Sequence, residues 1–148
     1  MKTITILCII FLFMGIAPCL ATTMLPCGSF KTVSGEVFIQ RQQNTITAVV
    51  GERIYPRDQI QSAKDGSASL VLQDDTIICL GPESAMDMEE FIFNPSAYEY
   101  SLATRMIKGT FLFLSGIIAK IAPDNVKIQT PDGTIAVRGT RFLVEVSH

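Results

Sequence analysis

From Gly35 onward the apolar positions of the chain recur every second residue, the spacing of strands that bury one face and wet the other. Val37-Phe38-Ile39 and Ile46-Thr47-Ala48-Val49-Val50 are rich in β-branched side chains, and Gly51, Pro56 and Asp58 interrupt them before Ile60. Short strands separated by turns follow from such a pattern. No stretch beyond residue 21 shows the apolar period of a long amphipathic helix.

Two hairpins stand out. Ala68-Ser69-Leu70-Val71-Leu72 leads to a turn at Gln73-Asp74-Asp75 and returns through Thr76-Ile77-Ile78-Cys79-Leu80. Val126-Lys127-Ile128-Gln129-Thr130 turns at Pro131-Asp132-Gly133 and returns through Thr134-Ile135-Ala136-Val137. In the second turn Pro presets one backbone angle and Gly accepts a positive one. Between them Met86 and Met88 alternate with Asp87 and Glu89, and then the apolar positions shift to Phe91 and Phe93. A β-bulge at Glu89-Glu90 restores the inward face. Asn94-Pro95-Ser96-Ala97 is the next turn, followed by Tyr98, Tyr100 and Leu102 in alternation.

Thr110-Phe111-Leu112-Phe113-Leu114 is apolar at successive positions, as in a strand covered on both sides. Residues 117–122 fit either a strand or one helical turn, and Pro123 ends them. The last segment, 140–146, alternates again, with Phe142, Val144 and Val146 on one face. The expected fold is therefore all-β, a compact sandwich or solenoid-like coil of short, mostly antiparallel strands.

The N-terminus has a different composition. One cation, Lys2, precedes a nearly unbroken apolar run over residues 4–14, then Gly15, Pro18 and small residues up to Ala21. That is the layout of a secretory signal peptide over residues 1–21, with cleavage after Ala21. An uncleaved membrane anchor is the alternative, because the run approaches the roughly 20 residues that span a bilayer. Lipidation at a cysteine is disfavoured, since Pro18 and Pro26 precede Cys19 and Cys27. Removing 21 of 148 residues leaves 127, enough for one domain with its own core. The expected division is a signal peptide at 1–21, an extension at 22–34 and one β domain at 35–148.

The chain carries 12 Lys and Arg against 14 Asp and Glu; loss of Lys2 makes that 11 against 14. The charges are scattered, which argues against a nucleic-acid partner. Of four cysteines, Cys8 and Cys19 lie in the export segment, leaving Cys27 and Cys79. Export to an oxidising compartment invites a Cys27–Cys79 disulfide, and the sequence leaves open whether the two meet.

With these residues in view the chain resembles the FecR domain family. The matching positions begin with Gly35-Glu36-Val37, Gly51, Ile54, Asp58, Ile60 and Gly66-Ser67-Ala68, then Asp74-Asp75-Thr76 and Leu80-Gly81-Pro82-Glu83-Ser84. Lys108-Gly109, Ser115-Gly116, Thr130-Pro131 and Val137-Arg138-Gly139-Thr140 continue the pattern to Val146. The resemblance implies an all-β domain that works outside the cytoplasm. The best-known members resemble transmembrane regulators that take a signal from an outer-membrane transporter and pass it to a sigma factor. Only Met1, Lys2 and Thr3 precede the apolar run, so the expectation here is an isolated exported domain without a sigma-factor-binding region.

No residue set suited to catalysis is visible: the single His is His148, and no nucleophile–base pair stands out. No cofactor and no metal is expected. Asp58, Asp74 and Asp75 are an imaginable calcium set, but turn chemistry explains them more simply. Arg138 is expected to point inward and pair with an acid or with carbonyls, fixing the register of the last hairpin in a motif with Thr130, Pro131, Gly139 and Thr140; the alternative is a guanidinium that faces a ligand. The candidate binding surface is the aromatic hairpin of Phe91, Phe93, Tyr98 and Tyr100, against the plainer reading that these rings are core. The expected function is a non-enzymatic extracytoplasmic module that binds a protein or a cell-envelope polymer. The alternative is a ligand sensor for a membrane signalling or transport protein of the iron-uptake type.

Overall fold

A computed structural model describes residues 24–139 and 141–147. Each stretch of two-residue alternation forms a strand. In chain order these are β1 (Gly28–Ser34), β2 (Val37–Arg41), β3 (Asn44–Thr47), β4 (Arg53–Ile54), β5 (Gln59–Ser62) and β6 (Ser67–Leu72). They continue with β7 (Ile77–Leu80), β8 (Ala85–Asn94), β9 (Glu99–Leu114), β10 (Val126–Thr130), β11 (Gly133–Ala136) and β12 (Arg141–Val146). The protein is all-β, as expected. A short helix α1 (Ile117–Ile121) and a 3-10 turn (Pro123–Asn125) join β9 to β10, so residues 117–121 are helical and not a strand.

The 16-residue β9 organises the molecule. Its first half pairs with β8, continuing through β5 and β2 to β3; its second half pairs with β7, continuing through β6 and β1 to β4. On the other edge, β10 runs parallel to Leu102–Arg105 and β12 runs antiparallel to Gly109–Leu114. All other pairings are antiparallel. The exchange of partners occurs at Gly109, whose φ is 98°. A Cβ there would lie 2.2 Å from Ser84 Oγ, so the bend needs a residue without a side chain.

The inward faces meet in one core. Phe30, Leu70, Leu72, Ile78, Phe111 and Phe113 come from one half, and Ile39, Ile60, Met86, Met88 and Leu102 from the other, with Ile118 of α1 between the chain's two hairpins in sequence. The expected bulge is present. Met88 pairs with Thr104 and Glu90 with Ala103, leaving Glu89 as the extra residue. Phe91 and Phe93 are thereby returned to the core side.

The folded unit starts earlier than Gly35. Cys27 and Phe30 are buried, and β1 pairs with β6 and β4. Residues 28–34 thus form a strand of the sheet, and Phe30 fills the core. The Cys27–Cys79 disulfide that the sequence left open is not formed: both are free thiols. Cys27 points into the core and its thiol donates to the Ile54 carbonyl at 3.2 Å. Cys79 alternates with the buried Ile78 and Leu80, which turns it to the opposite, outer face of β7. Residues 1–21, for which a signal peptide is expected, with Cys8 and Cys19, and His148 lie outside the described residues.

Candidate functional site: the β8–β9 hairpin

The aromatic hairpin is built by cross-strand pairing. Phe93 faces Tyr100 and Phe91 faces Leu102, and the Phe93 and Tyr100 rings meet in a tilted contact at 6.0 Å. Phe91, Phe93 and Tyr100 are only partly buried and pack on the margin of the core. Tyr98 does not join them. It precedes β9, adopts a φ of 56° and is 85% exposed. The turn Asn94-Pro95-Ser96-Ala97-Tyr98 is closed by the Ala97 N–H donating to the Asn94 carbonyl, and this places Tyr98 off the strand pattern in which the alternation put it.

One edge of this hairpin is open. β5 pairs with β8 only as far as Asp87, and Met88 is held by backbone hydrogen bonds with Asp58 and Arg57. Beyond that point, among the described residues, the β8 edge opposite β9 has no strand beside it. A groove of about 530 Å³ runs along it, lined by Leu25, Pro26, Phe91, Ile92, Phe93 and Glu99. A second hollow of about 460 Å³ continues past Met24, Arg57, Glu89 and Glu90. Leu25 is 77% exposed and Ile92 41%. The floor is apolar and the rim acidic: Glu90 and Glu99 flank it, while Glu89 is engaged by Arg105.

A third hollow, of about 510 Å³, lies between β2 and the turn before β5. There the Arg41 guanidinium donates through Nε and Nη2 to both oxygens of Asp58, each at 2.8 Å, and also to the Arg53 carbonyl. It stacks over the Tyr55 ring at 4.5 Å. Asp58 is 1% exposed and also accepts from the Tyr55 N–H. The bond to Asp58 raises the Arg41 pKa above its already high ordinary value, so the guanidinium stays charged. Nothing in the spacing of residues 41 and 58 signalled this clamp, because their contact depends on β2 meeting a turn 17 residues away.

Asp58 and Asp74 are therefore each satisfied by protein donors. Asp74, fully buried, accepts from the N–H and hydroxyl of Thr76 and from the Ile118 N–H. It closes its own turn and caps the start of α1. Among the described residues no group of three or more His, Cys, Asp or Glu is placed to hold a metal ion.

Arg138 departs from expectation. It is exposed and has no ion-pair partner among the described residues. Val137, just past the end of β11, takes the inward position at 2% exposure, and Arg138 follows it in the bend that leads to β12. Thr130 does close the hairpin, its hydroxyl donating to the Gly133 carbonyl across Pro131-Asp132, and Gly139 supplies a φ of 57° for the turn into β12. Thr140 lies outside the described residues. The sequence pattern missed Leu25 and Ile92, which stand 67 residues apart and line one groove only because the segment before β1 passes β8.

No helix among the described residues is long and apolar enough to cross a membrane. No curated protein and no solved structure matches the chain. The family model described as FecR protein matches residues 58–148, a span from the Asp58 clamp through both hairpins, the Gly109 bend and β12. With that match over more than half its length, the chain belongs to the FecR family, whose domains are signalling-related.

Proposed function

We propose that the protein is a non-enzymatic, extracytoplasmic interaction module that captures an extended segment of an envelope protein along the open edge of β8. The observation that carries this is the juxtaposition of a strand edge over residues 89–94, unpaired among the described residues, with an apolar groove. Strand addition of this kind takes affinity from main-chain hydrogen bonds and specificity from pockets for alternate side chains. The acidic rim of Glu90 and Glu99 favours a segment whose apolar residues are flanked by Lys or Arg. Membership of a signalling-related family supports a binding role, and the apolar N-terminal run supports export.

Ile92 and Tyr98 are exposed and make no core contact in the folded chain. Ile92→Lys should remove capture of the partner from envelope extract while leaving the circular dichroism spectrum unchanged. Tyr98→Ala tests the turn in the same way. Equal recovery with both variants would sink the β8 edge as the binding site.

A small-molecule sensor is the second reading, favoured by the hollow beside Arg41, Tyr55 and Arg57. Its volume falls within the few hundred to 1,000 Å³ typical of ligand sites, roughly. Arg41 is already saturated by Asp58, which leaves Arg57 as the cation available to a ligand.

A further inference from the structure

β12 is the last strand of its half of the sheet. It pairs with β9 and with no other strand among those described. Its far edge therefore presents backbone donors and acceptors to any strand of suitable register. Alternation along it places Arg141, Leu143 and Glu145 on the outer face, all exposed. Phe142 and Val144 face the core side but are only partly buried, with the Phe142 ring stacked on Phe113 at 5.1 Å.

The outer face beside β12 is apolar. Leu143, 67% exposed, sits opposite Leu112, which sits opposite Cys79 in the next strand. Arg141 shares that outer face by alternation; burial raises the Cys79 thiol pKa and the Arg141 charge partly offsets it. Neither Arg141 nor Glu145 has an ion-pair partner among the described residues.

We propose that β12 is a self-pairing edge, through which two copies of this chain associate as antiparallel strands about a two-fold axis at Leu143. The register follows from the side-chain pattern. Outward residues must meet outward residues, so the axis passes through a residue and not between two. At Phe142 or Val144 it would set a charged residue against Leu143. At Arg141 or Glu145 it would oppose like charges. Only at Leu143 does Arg141 face Glu145 at both ends, with Leu143 against Leu143 and Phe142 against Val144 of the second copy. An interface between identical surfaces needs this kind of self-complementarity, and opposite charges directly across a strand pair stabilise it.

The test is sedimentation equilibrium on the purified full chain over a range of concentrations. Wild type should show a monomer–dimer equilibrium. Arg141→Glu opposes carboxylates at both ends and Glu145→Arg opposes guanidiniums, so each alone should weaken self-association by about tenfold or more. Mixed in equal amounts, the two variants should pair with each other, and the double variant should recover wild-type affinity. Both positions are exposed, and unchanged circular dichroism will separate lost association from lost fold. Leu143→Cys should form an interchain disulfide on oxidation, because the two positions lie on the axis. A wild-type chain that stays monomeric at the highest concentrations reached, or variants that associate as wild type does and show no preference for each other, would overturn the proposal.

Discussion

Two buried polar groups show how single residues set the stability of this domain. Asp58 serves Arg41 through both oxygens and the Tyr55 N–H as well. Removing it leaves a guanidinium and an amide without their acceptor. Loss of one partner of a fully buried pair costs about 3–5 kcal/mol; Arg41 remains 28% exposed, so water takes over part of its solvation. Asp58→Ala should cost about 2–3 kcal/mol in urea unfolding, and Asp58→Asn less, because an amide oxygen still accepts. Cys27 acts through its surroundings: burial pushes its thiol up from 9.0 to about 12. The unfolded thiol ionises first, so the stabilising difference is intact below pH 9 and is lost as pH rises toward 12. Within that window each pH unit should remove up to about 1.4 kcal/mol. Thermal unfolding between pH 8 and pH 11 should show a slope that Cys27→Ala flattens. Peptide-resolved alkylation of the native protein at neutral pH should label Cys79 and spare Cys27 until unfolding, since only Cys79 has solvent access.

At the scale of elements, β9 and its neighbours show which features a local pattern reveals. The bulge at Glu89 is readable because a period of two that skips one residue has one simple repair, and the register shift between Met88 and Glu90 is that repair. The bend of β9 is different. Lys108-Gly109-Thr110 interrupts no alternation strongly enough to mark where the strand changes partners. The reason for Gly109 appears only when Ser84 is seen against it. Gly109→Ala combines positive-φ strain of about 1–3 kcal/mol with a clash against Ser84, and overpacking costs a similar amount. A fall in stability of at least about 2 kcal/mol is expected, read as a lower denaturant midpoint with unchanged slope. Arg138 teaches the converse. A basic residue between Val137 and Gly139 invites an inward ion pair, yet β11 has ended by then: Val137 is buried and Arg138 sits exposed in a bend.

For the whole molecule, the curled sheet leaves two edges that carry its functional proposals, one at β8 and one at β12. If β12 pairs two copies, association binds the folded state and not the unfolded one, so thermal stability should rise with protein concentration. That dependence should vanish in Arg141→Glu. The β8 edge belongs to the other half of the sheet, so Ile92→Lys should leave the concentration dependence intact while abolishing partner capture. Separate loss of the two behaviours distinguishes the two surfaces.

Side-chain period determined the all-β architecture, both hairpins and the bulge, because alternation is a local property that any strand must satisfy. The order of motifs from Gly35 to Val146 carried the family. Tertiary structure alone decided that β1 belongs to the domain, that Cys27 and Cys79 face different sides of a sheet, and that Arg41 meets Asp58. It also decided that Leu25 lies along β8. Each of these joins residues far apart in sequence, and such contacts are set by which strands the chain brings side by side, which no short-range pattern encodes.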